Sequence, residues 1–374
     1  METQDLAIGT PIIPLALPKG TQKLCEVCHN RAYLQCAQCR VTFYCNATHQ
    51  FADWVGIHEK ICPLLVPIRT ETLYTKEERI EKDIKKRELI AIARSIAEGK
   101  LAEGKHEEAL PAGQTCLHFC TDVFGPSSVQ LVPAYLLLAD AYMGLGNVST
   151  AAGLLSQAEF SVFKNPDCGN ELHHRLHRSL GRLQSTTGDL DGALFNFAND
   201  IYYATEEYGL GSIVCSNGYF LMASVFAKQG KTLIVRSLYN EVAETWHSHL
   251  TKLIEPLLEN PTTSVEPTFD KARQVEVDNM LHTILDFEEH QTRKDHGLVT
   301  LASLCLSKLW FIGGNRVKAR AFGHSALQSN QMSPNQELSE AIKELLELVE
   351  KRPETCDGKD TKTKGPTSAT DEIK

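Results

Sequence analysis

The sequence has no excess of positive charge: 38 Lys and Arg stand against 47 Asp and Glu, for a formal net charge of -9. Nonspecific nucleic-acid binding needs Lys and Arg in excess to neutralise phosphates, so that class of function is excluded. Long apolar runs are also missing, and nothing approaches the roughly 18 consecutive apolar residues of a membrane helix. Near the start, Ile8, Ile12, Ile13, Leu15 and Leu17 are interrupted by Pro11, Pro14 and Pro18. That stretch has neither the basic start nor the unbroken apolar core of a signal peptide, and a cytoplasmic protein is expected. The phosphate-binding G-x-x-x-x-G-K-[ST], the nucleophile elbow G-x-S-x-G and the zinc-protease H-E-x-x-H are all absent. No catalytic residue and no organic cofactor site is therefore assigned, and the chain is expected not to be an enzyme.

What the sequence does have is a dense group of soft ligands. Cys25, Cys28, Cys36, Cys39, Cys45, His49, His58 and Cys62 form four close pairs. One tetrahedral zinc takes four such ligands, so eight point to two zinc ions. The pairs Cys25/Cys28 and Cys36/Cys39 are C-x-x-C knuckles. Cys45/His49 and His58/Cys62 are spaced four apart, which places each pair on one face of a helix. Each zinc then takes one knuckle and one helical pair, and spacing alone leaves the pairing open. A segment this short buries little apolar surface, so its folding free energy must come from metal. A disulfide framework is the competing reading. Zinc spacing at every pair, and no sign of secretion, speak against it.

The run C-E-V-C, seven residues, C-A-Q-C, then F-Y-C, a ligand four residues on, Gln50, Trp54 and the closing H-x-x-x-C resembles a MYND-type zinc finger. The resemblance implies cross-bracing, with Cys25, Cys28, Cys45 and His49 on the first zinc and Cys36, Cys39, His58 and Cys62 on the second. His49 stands where the family usually has Cys. Imidazole is a good zinc ligand, and His29 is the alternative.

Residues 1–22 are read as a flexible, proline-broken lead-in and 23–67 as the finger with a connector. The connector Pro63-Leu64-Leu65-Val66-Pro67 is expected to be extended, because a residue before proline is pushed out of the helical region. It also spells P-x-L-x-P, resembling the peptide motif that MYND fingers of corepressors bind, although a plain connector is the simpler reading. From Thr75 to Arg87, charges of both signs alternate around Ile80 and Ile84, as on a solvated helix with one apolar stripe.

A repeat follows. Gly104, Gly146, Gly188, Gly230 and Gly314 are spaced by 42, 42, 42 and 84 residues. Five positions after each glycine stand Ala109, Ala151, Ala193, Val235 and Ala319; seven before stand Ala97, Ala139, Gly181, Ala223 and Ser307. A left-handed glycine ending one helix, with small residues on either side where two helices cross, is the requirement of a helical hairpin. The predicted fold is an all-α solenoid over 75–350. Its columns resemble tetratricopeptide repeats, with Tyr142, Phe226 and Trp310 in the aromatic slot four before the glycine; Lys100 and Gln184 depart from it. The missing unit centres on Ala272. A loop is expected across Asn260 to Pro267, then a degenerate helical unit over about 270–292 built on Ala272, Val275, Val277, Met280, Leu281 and Leu285. Pro334 opens a capping helix, and 353–374 reads as a disordered tail.

Other clusters carry less. Cys116/Cys120 lacks a second ligand pair, and Cys168, Cys215, Cys305 and Cys356 are scattered. His173, His174 and His177 read as a polar helix surface. The helical pattern and the lack of an Asn-His-x-Cys stretch argue against the methyltransferases that carry a MYND finger.

The expected function is a noncatalytic protein-binding adaptor, with the concave face of the solenoid taking an extended or helical segment of a partner. A MYND finger followed by long tetratricopeptide-like repeats resembles vertebrate proteins of cilia and sperm flagella. The resemblance implies axonemal tetratricopeptide or dynein-associated partners, while the net charge and the lack of long apolar runs point to neither nucleic acid nor membrane. Two alternatives stay open: a corepressor adaptor for proline-rich peptides, and a chaperone-linked factor whose carboxylate clamp would draw on Arg94, Asn147, Arg178, Arg182 and Arg316.

Overall fold

The computed structural model describes residues 9–13, 22–70, 75–259 and 271–351. The predicted tail, the loop across Asn260 to Pro267, and the lead-in apart from 9–13 and Gln22 lie outside them.

Successive helices pair as the glycine columns require: α3 (Lys76–Ala102) with α4 (His106–Phe124), α5 (Val132–Gly144) with α6 (Val148–Phe163), α7 (Asn170–Thr187) with α8 (Leu190–Tyr208), α9 (Ile213–Lys228) with α10 (Thr232–Glu259), and α12 (His296–Ile312) with α13 (Arg316–Met332). Each hairpin turns on its glycine, and all five have φ between 71° and 89°. At Gly146 the exit is a Schellman turn: Gly146 N–H donates to Met143 O at 3.0 Å and Asn147 N–H to Tyr142 O at 2.9 Å. The same two bonds recur at Gly104, Gly230 and Gly314. In three turns the next residue then caps the second helix, through the side chains of Asn147, Asp189 and Asn315. The flanking small residues are all buried, which is where the helices approach closest. At Gly181 the approach excludes even a methyl group, since a Cβ there would lie 2.6 Å from the Phe197 ring.

Among the described residues of the doubled interval, one helix, α11 (Lys271–Glu289), stands between α10 and α12 where a regular array would place a hairpin. Its buried face is Val277, Met280, Leu281 and Ile284, extended by Glu288, whose carboxylate Arg236 holds at 2.7 and 2.8 Å. Sequence reasoning missed Ile284 and Glu288 and included Val275 and Leu285, which are only partly buried. Trp310 Nε1 donates to Asp278 of α11 at 2.8 Å, and α11 also reaches α3 at the far end of the array. It lies against α12, which is buried along almost its whole length. The expected open face of the first helices is thus partly covered by the chain itself. Finally, α14 (Gln336–Lys351) packs Ile342, Leu345, Leu348 and Val349 into the last core, as a solenoid cap should.

At the other end, α1 (Ala47–Asp53), a π turn (Trp54–His58) and α2 (Glu59–Thr70) run as one rod into the first hairpin. The expectation of an extended connector is wrong, because Pro63 and Pro67 sit inside α2. A proline in a helix interior costs about 3 kcal/mol. Ile57, Ile61, Leu65 and Ile68 are buried with Leu89, Ala93, Ala112, Phe119 and Leu137 of the first hairpins. At about 1.5–3 kcal/mol per buried side chain, that burial outweighs two prolines. The P-L-L-V-P run is therefore neither extended nor free to act as a peptide ligand. Gly56 fixes how closely the rod docks, since a Cβ there would meet Pro111 at 2.7 Å.

The lead-in also departs from expectation. Thr10–Pro11 form β1, antiparallel to β2 (Leu34–Gln35), which pairs in turn with β3 (Phe43–Tyr44). Unsatisfied donors and acceptors on the β2 edge select a strand there over a free chain.

Candidate metal centre

Both C-x-x-C knuckles have the same backbone. His29 N–H donates to Cys25 O and Arg40 N–H to Cys36 O, each at 3.0 Å, so each turn folds back on its first cysteine. The residues closing them, His29 and Arg40, have φ of 56° and 58°, an uncommon conformation for any residue but glycine. The helical pairs are set by α1 and by the rod that follows. Asn46 caps α1 by accepting from His49 N–H at 2.8 Å, which fixes where the His49 ring starts.

These elements bring the eight ligands into two groups: Cys25, Cys28, Cys45 and His49, and Cys36, Cys39, His58 and Cys62. Within each, the ligand atoms lie within 4.8 Å of one another. This is the cross-braced pairing. In the first group Cys28 Sγ is 3.6 Å from Cys45 Sγ, and His49 Nδ1 is 3.2 Å from Cys45 Sγ and 3.5 Å from Cys25 Sγ. In the second, Cys36 Sγ and Cys62 Sγ are 3.9 Å apart, and Cys39 Sγ is 3.7 Å from His58 Nε2. A tetrahedron with Zn–S near 2.3 Å has S···S edges of about 3.8 Å, whereas a disulfide requires about 2.05 Å. The donor sets fit zinc, and the finger takes two zinc ions. His49 is a member of its group and the alternative His29 is not.

The second group is fully buried and the first partly exposed. Around the second, Cys39 Sγ lies 3.3 Å from Thr42 Oγ1. Hydrogen bonding from Cys36, with help from His58 and Thr42, pulls the Cys39 thiol down to about 3 and pushes Cys36 up. In the first group, burial pushes Cys45 up to about 11. Four such ligands hold one another's protons until a cation replaces them. With Nε2 of His58 facing the thiols, its Nδ1 faces Asp53 Oδ2 at 3.7 Å, and Asp53 accepts from Tyr44 Oη at 2.6 Å. Burial raises the Asp53 carboxyl above its ordinary range. A carboxylate behind a ligating imidazole fixes its tautomer and ring plane, and here Tyr44 in turn orients the carboxylate. Arg69 at the end of α2 closes the unit, reaching Glu26 at 2.7 and 3.0 Å and Val41 O at 3.1 Å.

Sequence reasoning missed Tyr44, Asp53 and the Arg69–Glu26 pair. An aromatic before a ligand and an acid five residues before another are the only traces they leave.

Most of the remaining candidates make contacts within the chain, and Cys356 lies outside the described residues. Cys116 and Cys120 are buried in the first hairpin and belong to neither ligand group. The histidine cluster is more built than a polar surface: His174 Nδ1 is 3.3 Å from the fully buried Asp200, which Arg178 holds at 2.8 and 3.1 Å, and His173 and His177 both stack on Tyr203. It knits α7 to α8. Among the proposed clamp residues, Arg94 pairs with Glu98, Arg178 with Asp200 and Arg182 with Asp140, while Asn147 caps α6. A carboxylate clamp gains no support from them. No helix among the described residues is long and apolar enough to cross a membrane.

A family model described as the MYND finger matches residues 25–62, from the first ligand to the last. Among solved structures, BtubC (BKLC) from P. vanneervenii is similar at 16% identity over 66% of this chain and 93% of that one, with a TM-score of 0.31. The pilF product of Pseudomonas aeruginosa is similar at 15% identity over 69% and 98%, with a TM-score of 0.33. The tetratricopeptide-like solenoid rests on its own helix order and glycine turns, not on these two likenesses.

Proposed function

We propose that the protein is a noncatalytic adaptor whose zinc finger and helical solenoid act as one protein-binding unit, docking axonemal tetratricopeptide or dynein-associated proteins in cilia or sperm flagella. The observation that carries the adaptor reading is the core shared by Ile57, Ile61, Leu65 and Ile68 of the finger's rod with Leu89, Ala93 and Phe119 of the first hairpin. Two modules of protein-binding kinds joined by a dry core present one fixed surface, whereas a flexible tether would present two. The ciliary location is supported by the resemblance of a MYND finger with 42-residue repeats to vertebrate axonemal proteins.

The experiment is affinity capture of the intact protein from lysates of ciliated tissue, with the double variant Cys36→Ser/Cys39→Ser alongside. Recovery of axonemal or dynein-associated proteins by the wild type, lost in the variant, supports both the location and the composite surface. Recovery of corepressors or chaperones instead rejects the ciliary assignment.

A further inference from the structure

Of the six cysteines outside the finger, three open onto one cavity. It has a volume of about 810 Å³ and lies between the first hairpin, the start of α5 and the loop that joins α6 to α7. Cys116 and Cys120 of α4 line it together with Ile90 and Arg94 of α3, and Cys168 lines it from the loop. The same two columns, twelve and sixteen positions after the turn glycine, carry Ala158 and Val162 in the second hairpin and Val242 and Trp246 in the fourth, all of them buried. Only the first hairpin has thiols in both columns. Cys116 and Cys120 are almost fully buried and share a hydrogen bond. The bond from Cys116, aided by the Arg94 guanidinium, holds the Cys120 thiol below its ordinary range, and the same bond pushes Cys116 up.

A disulfide does not suit this pair. Residues four apart on a helix hold their Cβ atoms about 5–6 Å from one another, and the bridge needs about 3.5–4.5 Å. Zinc does not suit it either. A tetrahedral ion takes four ligands, and among the described residues Cys116 and Cys120 belong to no group of three or more donors. Two converging thiols without a third ligand match a soft, monovalent cation that is satisfied by two sulfurs, and thiolates select copper(I) in this way. We propose that Cys116 and Cys120 form a two-coordinate copper(I) site, opening on the cavity they share with Arg94 and separate from the finger. Binding breaks two S–H bonds and makes two Cu–S bonds; both protons leave to solvent, and the ion enters already reduced, so nothing is oxidised. The bound pair of thiolates carries one net negative charge in a poorly solvated wall, where the Arg94 guanidinium offsets it. Arg94 shares Glu98 with Arg175, so that carboxylate does not cancel its charge. Both cysteines belong to the core that holds Ile57, Ile61 and Leu65, so the ion would brace α4 where the finger's rod docks.

The test is an anaerobic titration of the full-length, zinc-loaded protein with copper(I) buffered by bicinchoninate, with copper and zinc then counted on the desalted protein. The wild type is expected to retain one copper ion and both zinc ions. Cys116→Ala/Cys120→Ala should lose copper affinity at least tenfold while keeping both zinc ions. No copper retained by the wild type, copper gained only as zinc is lost, or equal copper affinity in the alanine variant overturns the inference. Should that variant fail to fold, X-ray absorption at the copper edge of the wild type decides. A first shell of two sulfurs supports the site. A shell that contains nitrogen, or three or more ligands, overturns it.

Discussion

The finger and the solenoid solve the same problem by different means. In the finger, eight ligands drawn from turns and one short rod converge on two points, and the chain between them is largely polar or half-exposed. In the solenoid no side chain is indispensable in that way, because each hairpin buries small residues against its neighbours. One region is held by a few strong local bonds, the other by many weak ones. What the comparison teaches is where the two meet: the rod that supplies His58 and Cys62 to the second metal group also supplies Ile61, Leu65 and Ile68 to the first core of the solenoid.

The largest effect should come from cutting the metal side of that junction. Structural zinc in small fingers contributes on the order of 10–16 kcal/mol near neutral pH. Cys36→Ser/Cys39→Ser, or chelation, is therefore expected to unfold residues 22–58 and to strip hydrogen-exchange protection from α3 and α4. Helices α12 and α13 at the far end should keep theirs. Full protection of α3 and α4 in the variant would show that finger and solenoid are independent.

Acid should separate the regions next. In the solenoid, burial, aided by the nearby Lys308, holds His247 down to about 4 from an ordinary 6.5. With the folded value depressed, the unfolded chain binds the proton first. Stability is full above pH 6.5 and falls as pH drops toward 4. His247 is half-buried, and solvent screening limits the loss to about 2 kcal/mol. His247→Gln should flatten that part of the stability–pH curve in urea melts, while zinc release from the finger keeps its own acid dependence. A variant with the wild-type curve would remove His247 as the cause.

The two smallest effects use one conformation with opposite signs. Gly188 has a φ of 89° and nothing within 4 Å of where a Cβ would lie. The penalty of Gly188→Val is thus one of backbone alone, about 2 kcal/mol, read as a lower urea midpoint. His29 occupies the same left-handed region in the first knuckle. His29→Gly should release up to about 1 kcal/mol there and slow zinc loss to a chelator. Faster zinc loss would mean that the His29 side chain contributes to the finger in a way its backbone strain conceals.

Legibility in the sequence followed the range of the forces involved. The eight metal ligands were readable because coordination chemistry imposes fixed spacings, their grouping only because the run resembles a known finger, and the hairpins because a left-handed turn demands glycine and a close crossing demands small residues. The path through Pro63 and Pro67 was misread for the opposite reason. Local propensity argues against a helix there, and only partners such as Phe119 and Leu137, distant in sequence, supply the burial that overrides it. Residues 9–13 were misread likewise, since a five-residue stretch with a proline has no structure of its own until β2 offers an edge.

The sequence by itself therefore determined the two zinc sites, their ligands and the 42-residue hairpin array, since each follows from contacts within a few tens of residues. Tertiary structure alone decided the buried support of His58 by Asp53 and Tyr44, the fusion of finger and solenoid through one core, the placement of α11 between the last hairpin and the first, and the strand on the β2 edge. Each of these joins residues whose mutual distance no local pattern records, and burial or backbone pairing becomes favourable only once the chain has already brought them together.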